Sequence, residues 1–141
     1  MGVNEETELI ILGDGARWIT KIAQTQYPFA TLILDWWPLK ERVFQTVDWL
    51  KSNGLSQEDA RNWGRQLRDW LWRGKTLLAL QSCIDLGKRL GLSPPEGKNQ
   101  TELGETSLQS FYLYLRNNFD SIIDYHTYRK QARIFHQFGF R

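Results

Sequence analysis

The stretch LGDGARWITKIAQTQYPFATLILDWW, residues 12–37, decides how this chain is read. It holds two aspartates, Asp14 and Asp35, and each closes a short apolar run: Leu9-Ile10-Ile11-Leu12 for the first, Leu32-Ile33-Leu34 for the second. A short continuous apolar run bounded by turn residues is the pattern of a strand buried on both faces. The first run, residues 9–12, ends at Gly13-Asp14-Gly15, and the second, residues 31–34, ends at Asp35 and then Pro38. Between them residues 16–26 read as a helix with Ile19, Ile22 and Ala23 on one side, stopped by Pro28. Strand, helix and strand with short links form a βαβ unit, whose strands are parallel and whose crossover is right-handed.

Downstream of Pro38 the pattern is helical throughout. Leu39, Val43, Val47 and Leu50 recur at helical spacing, and Asn53-Gly54 ends that helix. Ser56 with Asp59 resembles a capping box, with Asp in place of Glu or Gln. The next helix places Ala60, Trp63, Leu67 and Trp70 on an inward stripe and Arg61, Arg65 and Arg68 on the opposite one. A third helix over residues 75–90 points Leu77, Leu80 and Ile84 inward. The segment SPPEGKN opens a linker over residues 93–100. From Glu105 the series Leu108, Phe111, Leu115, Phe119, Ile122 predicts one long helix, or two broken near Asn117-Asn118. The expected class is α/β, mostly helical: a βαβ unit in residues 1–37, a helical region in 38–92, the linker, and a C-terminal helical segment in 101–141. Two strands alone seldom make a sheet that buries itself, so further strands upstream are expected, and with them a fragment of a larger protein.

The bulk numbers bound the class. The 141 residues suffice for one domain, and 41% apolar with 24% charged residues is ordinary for a soluble globular chain. Net charge is +2 and the isoelectric point about 8.8, a mild lean toward anionic partners. The single cysteine, Cys83, excludes an internal disulfide and suits a reducing cytosol. The start MGVNEETELI lacks the layout of a signal peptide, and no apolar run approaches the roughly 20 residues of a membrane span. A soluble, cytoplasmic protein without membrane partners is the expectation.

The two aspartates admit two readings. In open α/β sheets ligands bind beyond the carboxyl ends of the strands. Neighbouring strands lie about 4.8 Å apart, so carboxylates there can approach one divalent metal. Mg²⁺ takes such oxygens together with substrate phosphate, and two ions can drive phosphoryl transfer. Alternatively, Asp-Gly is turn chemistry and Asp14 caps the following helix. A metal site needs more than two acids, and no third is evident by spacing.

The segments LGDGARWI, YPFATLILDWW and LKERV resemble the catalytic core of insertion-sequence transposases of the RNase H-like DDE class. Gly13-Asp14-Gly15-Ala16, Trp18-Ile19, Pro28, Ala30 and Ile33-Leu34-Asp35-Trp36 all match that pattern. Trp37-Pro38 departs from it, standing where an aromatic-His pair is often found, so any role of that histidine has no residue here. YLRNNFDSIIDYHTYRKQ, residues 114–131, resembles the segment before the family's last acidic helix. The resemblance implies a partial RNase H-like core in residues 1–37 and DNA transposase chemistry, a metal-dependent cutting and joining of DNA. It implies Mg²⁺ or Mn²⁺ held by three acids, with Asp14 as the second acid and Asp35 in support. The family's first acid lies on a strand well upstream. Its third, a glutamate, follows a Gly-Ser-Gly-like turn, whereas here no acid follows Asp124. A truncated copy that does not hold its metals stably and lacks independent activity is therefore expected. Its partners would be insertion-sequence ends and target DNA. An exposed sheet edge would favour self-association into homo-oligomers. The alternative is a non-catalytic helical module that binds nucleic acid or protein.

Other residues carry weaker signals. Arg61, Arg65 and Arg68, with Trp72 nearby and Arg73 and Lys75 just after, fit either a solvated helix face or contact with DNA phosphates. The tail beyond Tyr125 is basic, with Arg129, Lys130, Arg133 and Arg141, and suits weak nucleic-acid contact or a frayed terminus. His126 and His136 lack partners at metal spacing. Cys83 lies in a helix without a neighbouring base and reads as a core thiol. Trp49, Trp63 and Trp70 fall on apolar stripes and read as packing.

Overall fold

The computed structural model describes residues 10–14, 25–26, 30–93, 95 and 106–130. Strands β1 (Ile10–Gly13) and β2 (Thr31–Leu34) pair in parallel, from Ile10 opposite Thr31 to Gly13 opposite Leu34. The second strand has the bounds its apolar run implies. The first takes in Gly13, while Leu9 lies outside the described residues. Of the expected intervening helix only Thr25 and Gln26 are described, and both are helical. Among the described residues the sheet has two strands. The chain is α/β and mostly helical, with one parallel pair.

Helix α1 (Trp36–Ser52) starts directly after β2. Pro38 sits in its first turn, where a missing backbone N–H costs no helical hydrogen bond. Its buried face is Leu39, Val43, Thr46, Val47 and Leu50, the expected stripe plus one threonine. That threonine is satisfied within the helix, its hydroxyl donating to the Arg42 carbonyl at 2.8 Å. Asn53 caps the C-terminus and Gly54 follows with φ +105°, a conformation that favours glycine.

Helix α2 (Gln57–Trp72) is capped by Ser56, whose Oγ accepts from the Asp59 backbone N–H at 3.1 Å. It folds back along α1. The buried line is Ala60, Gly64, Leu67 and Leu71, while Trp63 and Trp70, expected inside, are half-buried. The reason is Gly64. A Cβ there would overlap Val47 Cγ2, so the helices meet most closely at this glycine and the bulky tryptophans are turned aside. Trp63 uses that position: its indole N–H donates to Ser82 Oγ at 3.0 Å and its ring meets Phe111 edge-on at 6.3 Å.

Helix α3 (Thr76–Arg89) buries Thr76, Ala79, Cys83 and Leu86. Leu77, expected inward, is 70% exposed, and Leu80 and Ile84 are half-buried. Small residues form the contact line because interaxial distance shrinks with side-chain size. Helix α4 (Leu108–Asn117) is capped by the Ser107 hydroxyl, which accepts from Ser110 N at 3.1 Å. The predicted break near Asn117-Asn118 is real: a 3₁₀ turn (Phe119–Ser121) follows, and helix α5 covers residues 125–130. The break takes Phe119 off the stripe and leaves it exposed. Phe111, Leu34, Leu39, Leu50, Leu67 and Leu115 fill one core shared by β2 and helices α1, α2 and α4. Among the described residues no helix is long and apolar enough to cross a membrane.

Candidate functional site

The β1–β2 register decides where the aspartates go. Asp14 follows Gly13 and Asp35 follows Leu34, and Gly13 and Leu34 are partners. The ladder runs one step further, the Asp35 N–H donating to the Gly13 carbonyl at 2.7 Å. Asp14 and Asp35 are therefore neighbours at the carboxyl end of the sheet, Asp14 exposed and Asp35 half-buried.

Two tyrosines from the far end of the chain hold these strand ends. Tyr114 of α4 donates its hydroxyl to the Asp14 carbonyl at 3.2 Å, and Tyr125 of α5 donates to the Leu34 carbonyl at 2.6 Å. Burial pushes the Tyr114 phenol up to about 12; the Arg42 guanidinium opposes this and the Asp14 carboxylate adds to it. That guanidinium lies 4.5 Å from the Tyr114 ring centre. Burial pushes the Tyr125 phenol above its ordinary value too, with Tyr114 and Asp35 adding by charge. Each carboxylate thus acts on the tyrosine that holds its own strand end.

Tyr125 also belongs to an aromatic wall. Trp36 meets Trp72 edge-on at 4.9 Å and Tyr125 at 5.3 Å, and Trp72 stacks with Tyr125 at 6.0 Å. The Trp72 indole N–H donates to His126 Nδ1 at 3.4 Å, which makes both residues structural. Trp72 therefore sits at this wall and not beside the arginines. Asp124 caps α5, its carboxylate accepting from the Thr127 backbone at 3.1 Å and the Thr127 hydroxyl at 2.7 Å. The Thr127 side-chain bond, before the other contacts, holds that carboxyl below its usual range.

Among the described residues no group of three or more His, Cys, Asp or Glu could hold a metal ion. Asp14 and Asp35 offer two adjacent oxygen donors, fewer than a two-ion centre requires, so the described residues alone do not fit one.

The arginine face forms a second constellation. Arg61 and Arg65 are exposed as expected, whereas Arg68 is half-buried. Its guanidinium lies 4.8 Å from the Phe44 ring centre and its Nε–H donates to the Gly64 carbonyl at 3.4 Å. None of the three is in an ion pair among the described residues. With Lys51 they line a groove of about 280 Å³ between α1 and α2. One acid, Asp48, shares it and lies 3.9 Å from Lys51. Arg73 and Lys75 do not line this groove. Arg73 pairs with Asp69 at 3.4 Å and bridges by its backbone to Asp124, and Lys75 precedes α3.

Phe44 and, nearer the start of α1, Lys40 and Trp37 extend this face; Phe44 and Lys40 were not singled out from the sequence, and Trp37 was noted only as a departure from the family pattern. Trp37 is 67% exposed, with Lys40 Nζ 5.0 Å from its ring centre. The available signal was their spacing of three and four along a side of α1 that flanks the core stripe. Cys83 is buried and its thiol is pushed up by burial, as a core residue and not a nucleophile. Comparison with known proteins finds no matching family model, no matching curated protein and no matching solved structure.

Proposed function

We propose that this chain acts in DNA transposition, as part of an RNase H-like DDE transposase that handles DNA but does not cut it unaided. The observation that supports this most is the placement of Asp14 and Asp35 side by side where two adjacent parallel strands end. Acid pairs at that end of a sheet suit divalent-metal phosphoryl transfer. In this reading Asp14 is a metal-binding acid, Asp35 supports it, and Mg²⁺ or Mn²⁺ binds stably only when further acids complete the set. The protein would work on DNA in the cytoplasm.

A second reading rests on a different observation, the groove between α1 and α2 whose three arginines form no ion pair among the described residues. It makes the chain a non-catalytic nucleic-acid-binding module. Two measurements together separate them. Supercoiled DNA is incubated with the purified chain and with Asp14→Ala, in Mg²⁺ and in Mn²⁺, and nicking and strand transfer are scored. No metal-dependent nicking by either protein is the expected result. Nicking by the unaltered chain that Asp14→Ala loses would overturn the inactive reading while supporting the transposase class. Terbium luminescence supplies the second measurement. The proposed reading expects weak terbium binding, seen only at high ion concentration, that Asp14→Ala reduces further; equal binding by both proteins there would remove the metal role of Asp14 and leave the binding-module reading.

A further inference from the structure

The proposed reading says that this chain handles DNA; the surface geometry bears on which form of DNA. Of the six tryptophans among the described residues, five are half-buried and Trp37 alone is exposed. The cost of leaving so large an apolar ring in water makes it a candidate contact surface. It is followed along one side of α1 by Lys40 and Phe44, and Phe44 is 44% exposed. Lys40 Nζ lies 5.0 Å from the Trp37 ring centre and 5.9 Å from that of Phe44. Arg68 then covers Phe44 from α2, and Arg65 and Arg61 continue the row along the groove. Aromatic and cationic groups thus alternate from Trp37 to Arg68, and two further arginines carry the row toward the far end of the helical hairpin. From Trp37 to Phe44 the helix rises roughly 10 Å at about 1.5 Å per residue.

A duplex presents phosphates outward and keeps its base faces stacked, so it could use the arginines but not an exposed indole. A single strand offers both, bases for the aromatics and phosphates for the cations. We infer that the face formed by Trp37, Lys40, Phe44, Arg68, Arg65 and Arg61 binds single-stranded DNA, with a base stacked on Trp37 and the backbone tracked by the arginines. The inference rests on the reading of the chain as a DNA-handling protein. It also sets the path of the strand, which lies along α1 between the groove and Asp35, one residue before that helix.

The test is fluorescence anisotropy of a labelled thymidine oligonucleotide, free and annealed to its complement, titrated with the full chain at low and moderate salt. Tryptophan quenching is recorded in parallel. The single strand should bind at least about tenfold more tightly than the duplex. Trp37→Ala should weaken single-strand binding about tenfold or more and remove most of the quenching, with Trp37→Phe restoring part of the affinity. Arg61→Ala with Arg65→Ala should weaken both forms and flatten the salt dependence. These side chains are exposed, so the variants are expected to stay folded, which circular dichroism checks. Duplex preference, or unchanged single-strand binding by Trp37→Ala, overturns the inference and leaves the DNA reading standing. Absence of binding to either form at low salt overturns both.

Discussion

Tyr125 donates its phenolic hydrogen to the carbonyl oxygen of Leu34 at 2.6 Å, across 91 residues of chain. The bond ties the last described helix to the end of β2, one residue before Asp35. Both groups are buried, so neither can turn to water if the other is removed. Tyr125→Phe is expected to destabilise the fold by about 1–3 kcal/mol, the cost of a buried acceptor left unpaired. Urea unfolding followed by far-UV circular dichroism measures this. Tyr114→Phe, which releases the longer 3.2 Å bond to Asp14, should cost less.

The same tyrosines set an alkaline limit. The Tyr114 phenol is raised from 10.0 to about 12 in the folded chain, so the folded state holds its proton more tightly than the unfolded state. Stability from this source is fully present below about pH 10 and is lost as pH rises through about 12. Tyr125, raised in the same direction by burial, adds to the loss. Unfolding free energy from urea titrations at pH 8, 9.5 and 11 should be level first and then fall. Tyr114→Phe should make the fall shallower.

Gly64 is a position where helix propensity points the wrong way. An exposed glycine-to-alanine change in a helix gains roughly 1 kcal/mol. At Gly64 the added methyl overlaps Val47 Cγ2, and a side chain branched at Cβ cannot swing away freely. Gly64→Ala should therefore destabilise, by about 1–3 kcal/mol as an overpacked contact does. Combining it with Val47→Ala should cost less than the sum of the two single changes. A double-mutant cycle in urea reads the coupling.

Cys83 gives a direct check on the α3 face. It is 3% exposed and its thiol is held protonated by burial. Native protein should react with a thiol-specific disulfide reagent at least about a hundredfold more slowly than urea-unfolded protein. Fast reaction in the native state would place Cys83 outside the core.

How much was legible in the sequence depended on the range of the interactions. The β2 bounds, the α1 stripe, the Ser56 cap and the break at Asn117-Asn118 are local, each set by neighbours within one or two turns, and a single sequence carries them. The adjacency of Asp14 and Asp35 was legible for a related reason. Two apolar runs of similar length that both end in aspartate bring those residues together once the strands pair in parallel. Helix rotation was less accessible. Trp63, Trp70 and Leu77 are apolar and suitably spaced, yet packing left the two tryptophans half-buried at the edge of the core and Leu77 exposed, in favour of Gly64, Leu71 and Ala79. Hydrophobicity ranks side chains by transfer energy, whereas a helix contact also selects by size, and size matters only once the partner helix is in place. The tyrosine bonds, the Trp36–Trp72–Tyr125 wall and the Arg68–Phe44 contact that joins the two halves of the aromatic–cation row link residues on separate elements. No spacing rule links such residues along the chain, so the tertiary structure alone decided them, by bringing α1, α2, α4 and α5 to the ends of two strands.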